Sequence, residues 1–300
     1  MDLRTLTTFV TVAETQSIKL ASQRIHLTSG AISQQIKSLE AEFGDLFVRT
    51  PNSLILTDTG STLITHARRI IKESDDCIEH MHSLDDGLTG TLNIGVGSFI
   101  VPYIRKAGLM FKEKYPNVTL NVKFYQAEHL NRLLQEHKLD IAFTANHAYH
   151  TENIITTPCI PFYLRAIMPK HHPLAKKDII TYQDILKHYV ALPDAGDRVF
   201  RSITNYMPED VDLSQMKIHL IANNPDELLI AAEHLNCLTF LPALNIKGSS
   251  TLIAKPIKGL EKPIVTNAHW LQDTSIKHTA REFYRIIRDF CVPYFEALNT

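Results

Sequence analysis

The chain has 300 residues, enough for two ordinary domains at about 100–200 residues each. With 44% hydrophobic and 21% charged residues and a net charge of −1, its composition excludes a disordered or membrane-embedded chain, and no overall basic field announces nucleic acid. Cys77, Cys159, Cys237 and Cys291 lie 54 to 82 residues apart with no C-x-x-C pair, which argues against a zinc site or a dense disulfide framework and suits a reducing compartment.

The opening segment carries charge at Asp2, Arg4 and Glu14 and no secretory apolar core, so a cytoplasmic protein is expected. Leu3, Leu6, Phe9, Val10 and Ala13 recur at helical spacing, and Ser17 can cap a second helix through Ile25. A third helix begins behind Thr28, an N-cap residue type, and runs to about Phe43. Its apolar residues Ile32, Ile36, Leu39 and Phe43 make one buried stripe, and its opposite face carries Ser29, Gly30, Ser33, Gln34 and Lys37. Serine and lysine can hold phosphates, and glutamine can bond adenine N6 and N7, so this face suits a DNA major groove. Leu46–Val48 and Leu54–Thr57 read as short strands around a turn, a wing that places Arg49 and Thr50 within reach of backbone phosphates. The pattern alone also fits a small helical bundle with a solvated polar face.

Residues 1–60 resemble the winged helix-turn-helix of the LysR-type transcriptional regulators. The resemblance is carried by Leu3, Leu6, Phe9, Val12-Ala13-Glu14, Ser17, Ala21, the run from Leu27 to Ile36, Leu39-Glu40, Leu46-Phe47, Arg49, Leu56-Thr57 and Gly60, in ungapped register. It implies a DNA-binding domain over residues 1–58, with Thr28, Ser29, Gly30, Ser33, Gln34, Lys37, Arg49, Thr50 and Asn52 toward double-stranded DNA. Ser29-Gly30 stands where the family usually has Gln-Pro, Gln34 where an arginine is common, and Asn52 where the wing is usually basic. Fewer cations neutralise fewer phosphates, so weaker and less salt-dependent binding is expected.

Residues 58–86 form one helical pattern in which Leu63, Ala67, Ile70, Ser74, Cys77, Met81 and Leu84 follow heptad spacing, widened by Ile64, Ile71 and Ile78. Such an edge needs a partner along its length, and Cys77 on it reads as a small core residue. By the resemblance, residues 59–89 are the linker helix that pairs two subunits, and the protein is a homodimer or homotetramer.

From Gly90 the sequence turns to β–α alternation, which implies a mostly parallel sheet with helices on its faces. A strand over Thr91–Gly97 stops at Ser98, and a helix follows with Pro102 in its first turn. Val118, Leu120, Val122 and Phe124 alternate as a second strand, Gln126 precedes a helix over Glu128–His137, and Leu139–Phe143 makes a third strand. Ser98 and Gln126 thus fall at the carboxyl ends of strands, where open α/β sheets bind ligands. This half resembles the effector domain of the same family, through Phe111–Pro116, Leu139–Ala142, His172–Ala175 and Leu241-Pro242.

The resemblance implies an α/β fold with two lobes, like periplasmic solute-binding proteins of type 2. The effector domain spans 90–300, with lobe one over 91–160 and 266–300 and lobe two over 161–265. A small-molecule effector is expected between the lobes, on Ser98, Phe99, Gln126, Asn146, Pro193, Asp194, Asn223, Asn224 and Thr266. Leu235-Asn236-Cys237 replaces glycines common in the family at that turn.

The 15 histidines fall in no recognised ligand frame, and neither a dinucleotide fingerprint, a P-loop nor a nucleophile elbow occurs. No metal, cofactor or catalysis is expected; the reading is a DNA-binding regulator controlled by an effector, with RNA polymerase contact as one output. Two alternatives stay open: an enzyme or solute receptor on the same two-lobed fold, and a regulator with degenerate DNA binding that acts through protein partners.

Overall fold

A computed structural model describes residues 1–50, 53–86, 88–97, 100–125, 127–145, 153–193, 215–222, 224–272 and 277–291. The chain divides into two compact units, Met1–Thr89 with Gln135–Lys138, and the remainder.

The first unit opens with helices α1 (Leu3–Thr15), α2 (Ile18–Ile25) and α3 (Ser29–Phe43). Each starts on a side chain that accepts an otherwise orphaned N–H: Asp2 from Thr5 at 2.8 Å, Ser17 from Leu20 at 3.3 Å, and Thr28 from Ala31 at 3.1 Å. Gln16 and His26, both in left-handed backbone conformation, end α1 and α2 and turn the chain within a residue or two. Leu6, Phe9 and Val12 of α1 meet Ala21 of α2 and Ile32, Ile36 and Leu39 of α3 in one core. The hairpin β1 (Phe47–Arg49) and β2 (Leu54–Leu56) closes it, with the Phe47 ring 5.4 Å from that of Phe9. Phe43 departs from the expected buried stripe: 38% exposed, it sits in the last turn before Gly44, where the helix leaves the core.

Helix α4 (Asp58–Asp86) is held at its start by Thr57, whose hydroxyl accepts from the Gly60 N–H at 3.0 Å and donates to the Asp45 carbonyl at 2.7 Å. A side chain at Gly60 would lie 2.2 Å from the Leu46 carbonyl oxygen, so only glycine lets α4 pass this close to the strand.

Among the described residues the second unit contains a five-stranded sheet, a three-stranded sheet and a two-stranded one. In the first, β3 (Gly90–Val96) runs parallel to β4 (Val118–Phe124) and β5 (Ile141–Ala145), while β12 (Ile264–Leu271) runs antiparallel to β5 and β6 (Ile154–Phe162). The spatial order is β4-β3-β5-β12-β6. Helices α5 (Val101–Lys114) and α9 (His278–Ile286) cover the face of Phe143, where the Phe283 ring lies 5.4 Å from Phe111 and 6.1 Å from Phe143. Helix α6 (Ala127–Gln135) covers the opposite face, packing Leu130 and Leu134 on Ala142 and Leu271. It ends two residues before the expected His137, which takes the left-handed conformation instead.

In the second sheet, β7 (Leu164–Pro169) lies antiparallel between β10 (Thr239–Pro242) and β11 (Leu252–Lys255). β8 (Tyr189–Leu192) pairs in parallel with β9 (Lys217–Ile221), and the bridge from Val190 to Leu238 links the two groups. Helices α7 (Tyr182–Lys187) and α8 (Pro225–His234) also belong to this part. The architecture is therefore mixed rather than mostly parallel. The chain leaves the first sheet along β6 and returns along β12, and the pairing of these two strands is necessarily antiparallel.

Candidate nucleic-acid interface and lobe crossing

The outer face of α3 divides into side chains that build the helix and side chains left open to solvent. The Thr28 hydroxyl caps the helix, and Ser33 donates to the Ser29 carbonyl at 2.8 Å. Ser29, Gly30, Gln34 and Lys37 are exposed. Nothing lies nearer than 4.0 Å to a Cβ built on Gly30, so this glycine meets no steric demand of the fold. On the wing, Thr50 closes the turn: its hydroxyl donates to the Ser53 carbonyl at 2.8 Å and accepts from the Ser53 N–H at 3.1 Å. Thr50 thus shapes the hairpin. Asn52 lies outside the described residues.

Helix α4 does two jobs where the heptad pattern predicted one. Ile64 and Ala67 are buried in the core of the first unit, with Leu63 and Ile71 packed against it. Further along the pattern Ile70 is 40% exposed, Ile78 53% and Met81 58%, and Cys77 is exposed. Beside the start of α4 lies an open groove of about 680 Å³, lined mostly by carbon from Met1, Phe43, Leu63 and Ile70, with His66 at its side. Sequence reasoning missed Met1, Phe43 and His66 here, although Leu63 and Ile70 already belonged to the pattern.

In the second unit Gly97, Tyr125 and Ala145 mark the carboxyl ends of β3, β4 and β5, tied together by Gly97 N–H to Phe143 O at 2.8 Å and Tyr125 N–H to Val96 O at 3.1 Å. Ser98, Phe99, Gln126, Asn146, Asp194 and Asn223 lie outside the described residues. Pro193 is buried just past β8, and Asn224 is the exposed N-cap of α8, accepting from Asp226 N–H at 2.9 Å. Thr266 is fully buried, and its hydroxyl both accepts from Ile160 N–H at 2.8 Å and donates to Ile160 O at 2.9 Å. Three residues further along β12, His269 is buried with ring nitrogens 2.8 Å from the Thr144 hydroxyl and 2.9 Å from that of Thr156.

At the turn after α8, Asn236 adopts a left-handed conformation with φ of 50°, doing what glycine would do. The adjoining Cys237 thiol is buried, and burial pushes it up to about 11, so it is no thiolate nucleophile at neutral pH. His172 is buried as the cap of a short helical turn, its Nδ1 accepting from Leu174 N–H at 3.2 Å. Burial, then the neighbouring His188 and His171, lower its pKa to about 4. Among the described residues, no helix is long and apolar enough to cross a membrane.

Residues 3–61 match the family described as bacterial regulatory helix-turn-helix protein, lysR family, and residues 85–292 match the LysR substrate binding domain. The HTH-type transcriptional regulator CfxR of Cupriavidus necator is 29% identical over 75% of this chain and 70% of its own. The HTH-type regulator YnfL of Escherichia coli is 30% identical over 69% of this chain and 71% of its own. Among solved structures, a full-length OxyR from Pseudomonas aeruginosa superposes with a TM-score of 0.74 at 18% identity, covering 96% of this chain and 94% of that one. Full-length CbnR complexed with its target DNA gives 0.67 at 16% identity, covering 96% and 99%.

Proposed function

Because the chain belongs to the LysR family of transcriptional regulators, with a helix-turn-helix domain and an effector-binding domain, we propose that its α3 reads an operator in the DNA major groove. The observation that carries this reading is the open face of α3, where Gln34 and Lys37 stand exposed one turn apart behind a capped N-terminus. Gln34 is the base reader, and Lys37, the Ser29 hydroxyl and Arg49 on the wing take phosphates. Thr28, Ser33 and Thr50 support them by holding the helix and hairpin in shape, and Gly30 lets the helix start approach the duplex backbone.

Two copies pair through the exposed part of α4, where Ile70, Cys77, Ile78 and Met81 would leave water, and through the apolar groove beside it. The half-sites are then related by the symmetry of the protein. A small effector binds at the carboxyl ends of β3, β4 and β5, between the lobes, and changes the packing of subunits on DNA. Of the set expected from the sequence, Ser98, Phe99, Gln126, Asn146, Pro193, Asp194, Asn223 and Asn224 would line it, with Thr266 beside them at the crossing.

The test is fluorescence anisotropy of the full chain on its own upstream DNA and on scrambled DNA across a salt series. Gln34→Ala with Lys37→Ala should reduce preference for the upstream DNA by about five- to 150-fold, on the basis of about 1–3 kcal/mol for a bidentate base contact. It should also lower the salt slope by about one for the lost phosphate contact. A double variant that keeps both preference and slope removes α3 from the interface.

A further inference from the structure

The passage from the first sheet of the second unit to the second carries an unusual local chemistry. Strand β6 reads Thr157-Pro158-Cys159-Ile160-Pro161-Phe162, and neither proline has an N–H to give to the ladder. Opposite them the register of β12 slips: Val265 pairs with Pro161 but Asn267 pairs with Pro158, so β6 holds one residue more than β12 across this interval. Such a bulge bends a strand and leaves backbone groups without ladder partners. In a fully buried place those groups must find other partners.

Thr266 supplies them. It stands alone opposite the extra residue, and its one hydroxyl accepts the Ile160 N–H at 2.8 Å while donating to the Ile160 carbonyl at 2.9 Å. Ile160 and Thr266 are both fully buried. On its other side Thr266 pairs through the backbone with Ala145, at the carboxyl end of β5. The hydroxyl has a single proton, and Ile160 O holds it, so Thr266 cannot donate to a carboxylate ligand without letting Ile160 go.

We propose that Thr266 is a positioning residue, the pin of the hinge between the two lobes, rather than a ligand contact. Bending at the crossing requires Ile160 to turn relative to β12, and the paired hydrogen bonds resist that motion until both break. The lobes thereby have a detent in place of a freely flexing joint, and an effector works against it. This inference rests on the reading that an effector acts between the lobes.

Hydrogen–deuterium exchange of the full-length chain, read at single amides, tests it without DNA or effector. A failure here therefore leaves the operator reading standing, and loss of operator binding leaves this result standing. In the unsubstituted chain the Ile160 amide should be protected as well as the ladder amides of β12. Thr266→Val keeps the shape and removes both bonds. It should accelerate exchange at Ile160 and across residues 159–163 and 263–266 by about tenfold, while amides of β3 and β7 stay within about twofold. Thr266→Ser should restore the protection.

Three results would overturn the proposal: an Ile160 amide that exchanges at loop rates in the unsubstituted chain, no change in the valine variant, or equal acceleration in β3 and β7, which marks a mere core residue. If the valine variant does not fold, the unsubstituted chain and the serine variant still decide the matter. The serine variant must then keep Ile160 protected.

Discussion

On α3, and again on β12, hydroxyls answer the same need, a backbone group without a partner, but at opposite depths. Thr28 and Ser33 sit at the surface of the first unit, use a single bond each to shape α3, and leave the neighbouring Gln34 and Lys37 open to solvent. Thr266 and Thr144 lie deep in the second unit, bonded to Ile160 and His269 respectively. A surface hydroxyl competes with water, so its loss costs about 1 kcal/mol as a cap. A buried one leaves its partners stranded, at about 1–3 kcal/mol each. The contact surface can therefore change with little loss of fold, whereas the crossing cannot.

That contrast sharpens first at Gly60, where the first unit has no tolerance. Gly60→Ala brings a methyl to 2.2 Å from the Leu46 carbonyl oxygen and 2.9 Å from the Leu56 side chain. Backbone has to move, and the expected loss is about 3 kcal/mol, near the upper end for overpacking. The single tryptophan, Trp270, lies on β12 of the second unit, so its fluorescence follows that unit alone. Denaturant unfolding should show the part of the helical circular dichroism that comes from α1–α4 shifting to a lower midpoint, while the rest of the signal and the Trp270 transition stay. A joint shift of both signals would mean that the units unfold as one.

His172 makes the converse test inside the second unit. Its folded pKa of about 4 lies below the ordinary 6.5, so between those values the unfolded chain binds the proton and the folded chain does not. Stability from this group is full above pH 6.5 and is lost progressively as pH falls toward 4, by on the order of 2 kcal/mol. His172→Asn keeps an acceptor for the Leu174 N–H but does not titrate. Urea unfolding followed at Trp270 should lose this part of its pH dependence in the variant, and an unchanged slope would place the proton uptake elsewhere.

Much of this contrast was legible in the sequence, and the reasons for the misses are physical. Helices in the first unit begin on Asp2, Ser17 and Thr28 because local capping is written in three or four residues. The mixed sheet was not legible, because the direction of β12 depends on where the chain returns after about 100 residues. Heptad spacing in α4 could not say which neighbour each apolar residue meets: Leu63 and Ala67 serve their own unit, while Ile70 and Met81 stay open. Asn236 lies in the turn where the family commonly has glycines, yet asparagine's tolerance of the left-handed region keeps the turn. Thr266 was legible as a polar residue at the crossing, but its partners depend on a register slip that Pro158 and Pro161 only hint at.

The smallest expected effect is at Gly30, where the surface half of the comparison is most exposed to failure. A Cβ there meets nothing nearer than the Thr28 hydroxyl at 4.0 Å, and the backbone needs no positive φ. Gly30→Ala should therefore stabilise α3 by about 0.5–1 kcal/mol through helix propensity, seen as a higher denaturation midpoint of the helical signal. If the start of α3 approaches a duplex backbone, the same methyl stands between the peptide N–H groups and phosphate, and affinity for the upstream DNA should fall several-fold. Stability and binding would then move in opposite directions for one added carbon, which a residue serving only the fold cannot do. Both rising together would place the DNA further along the helix, toward Gln34 and Lys37.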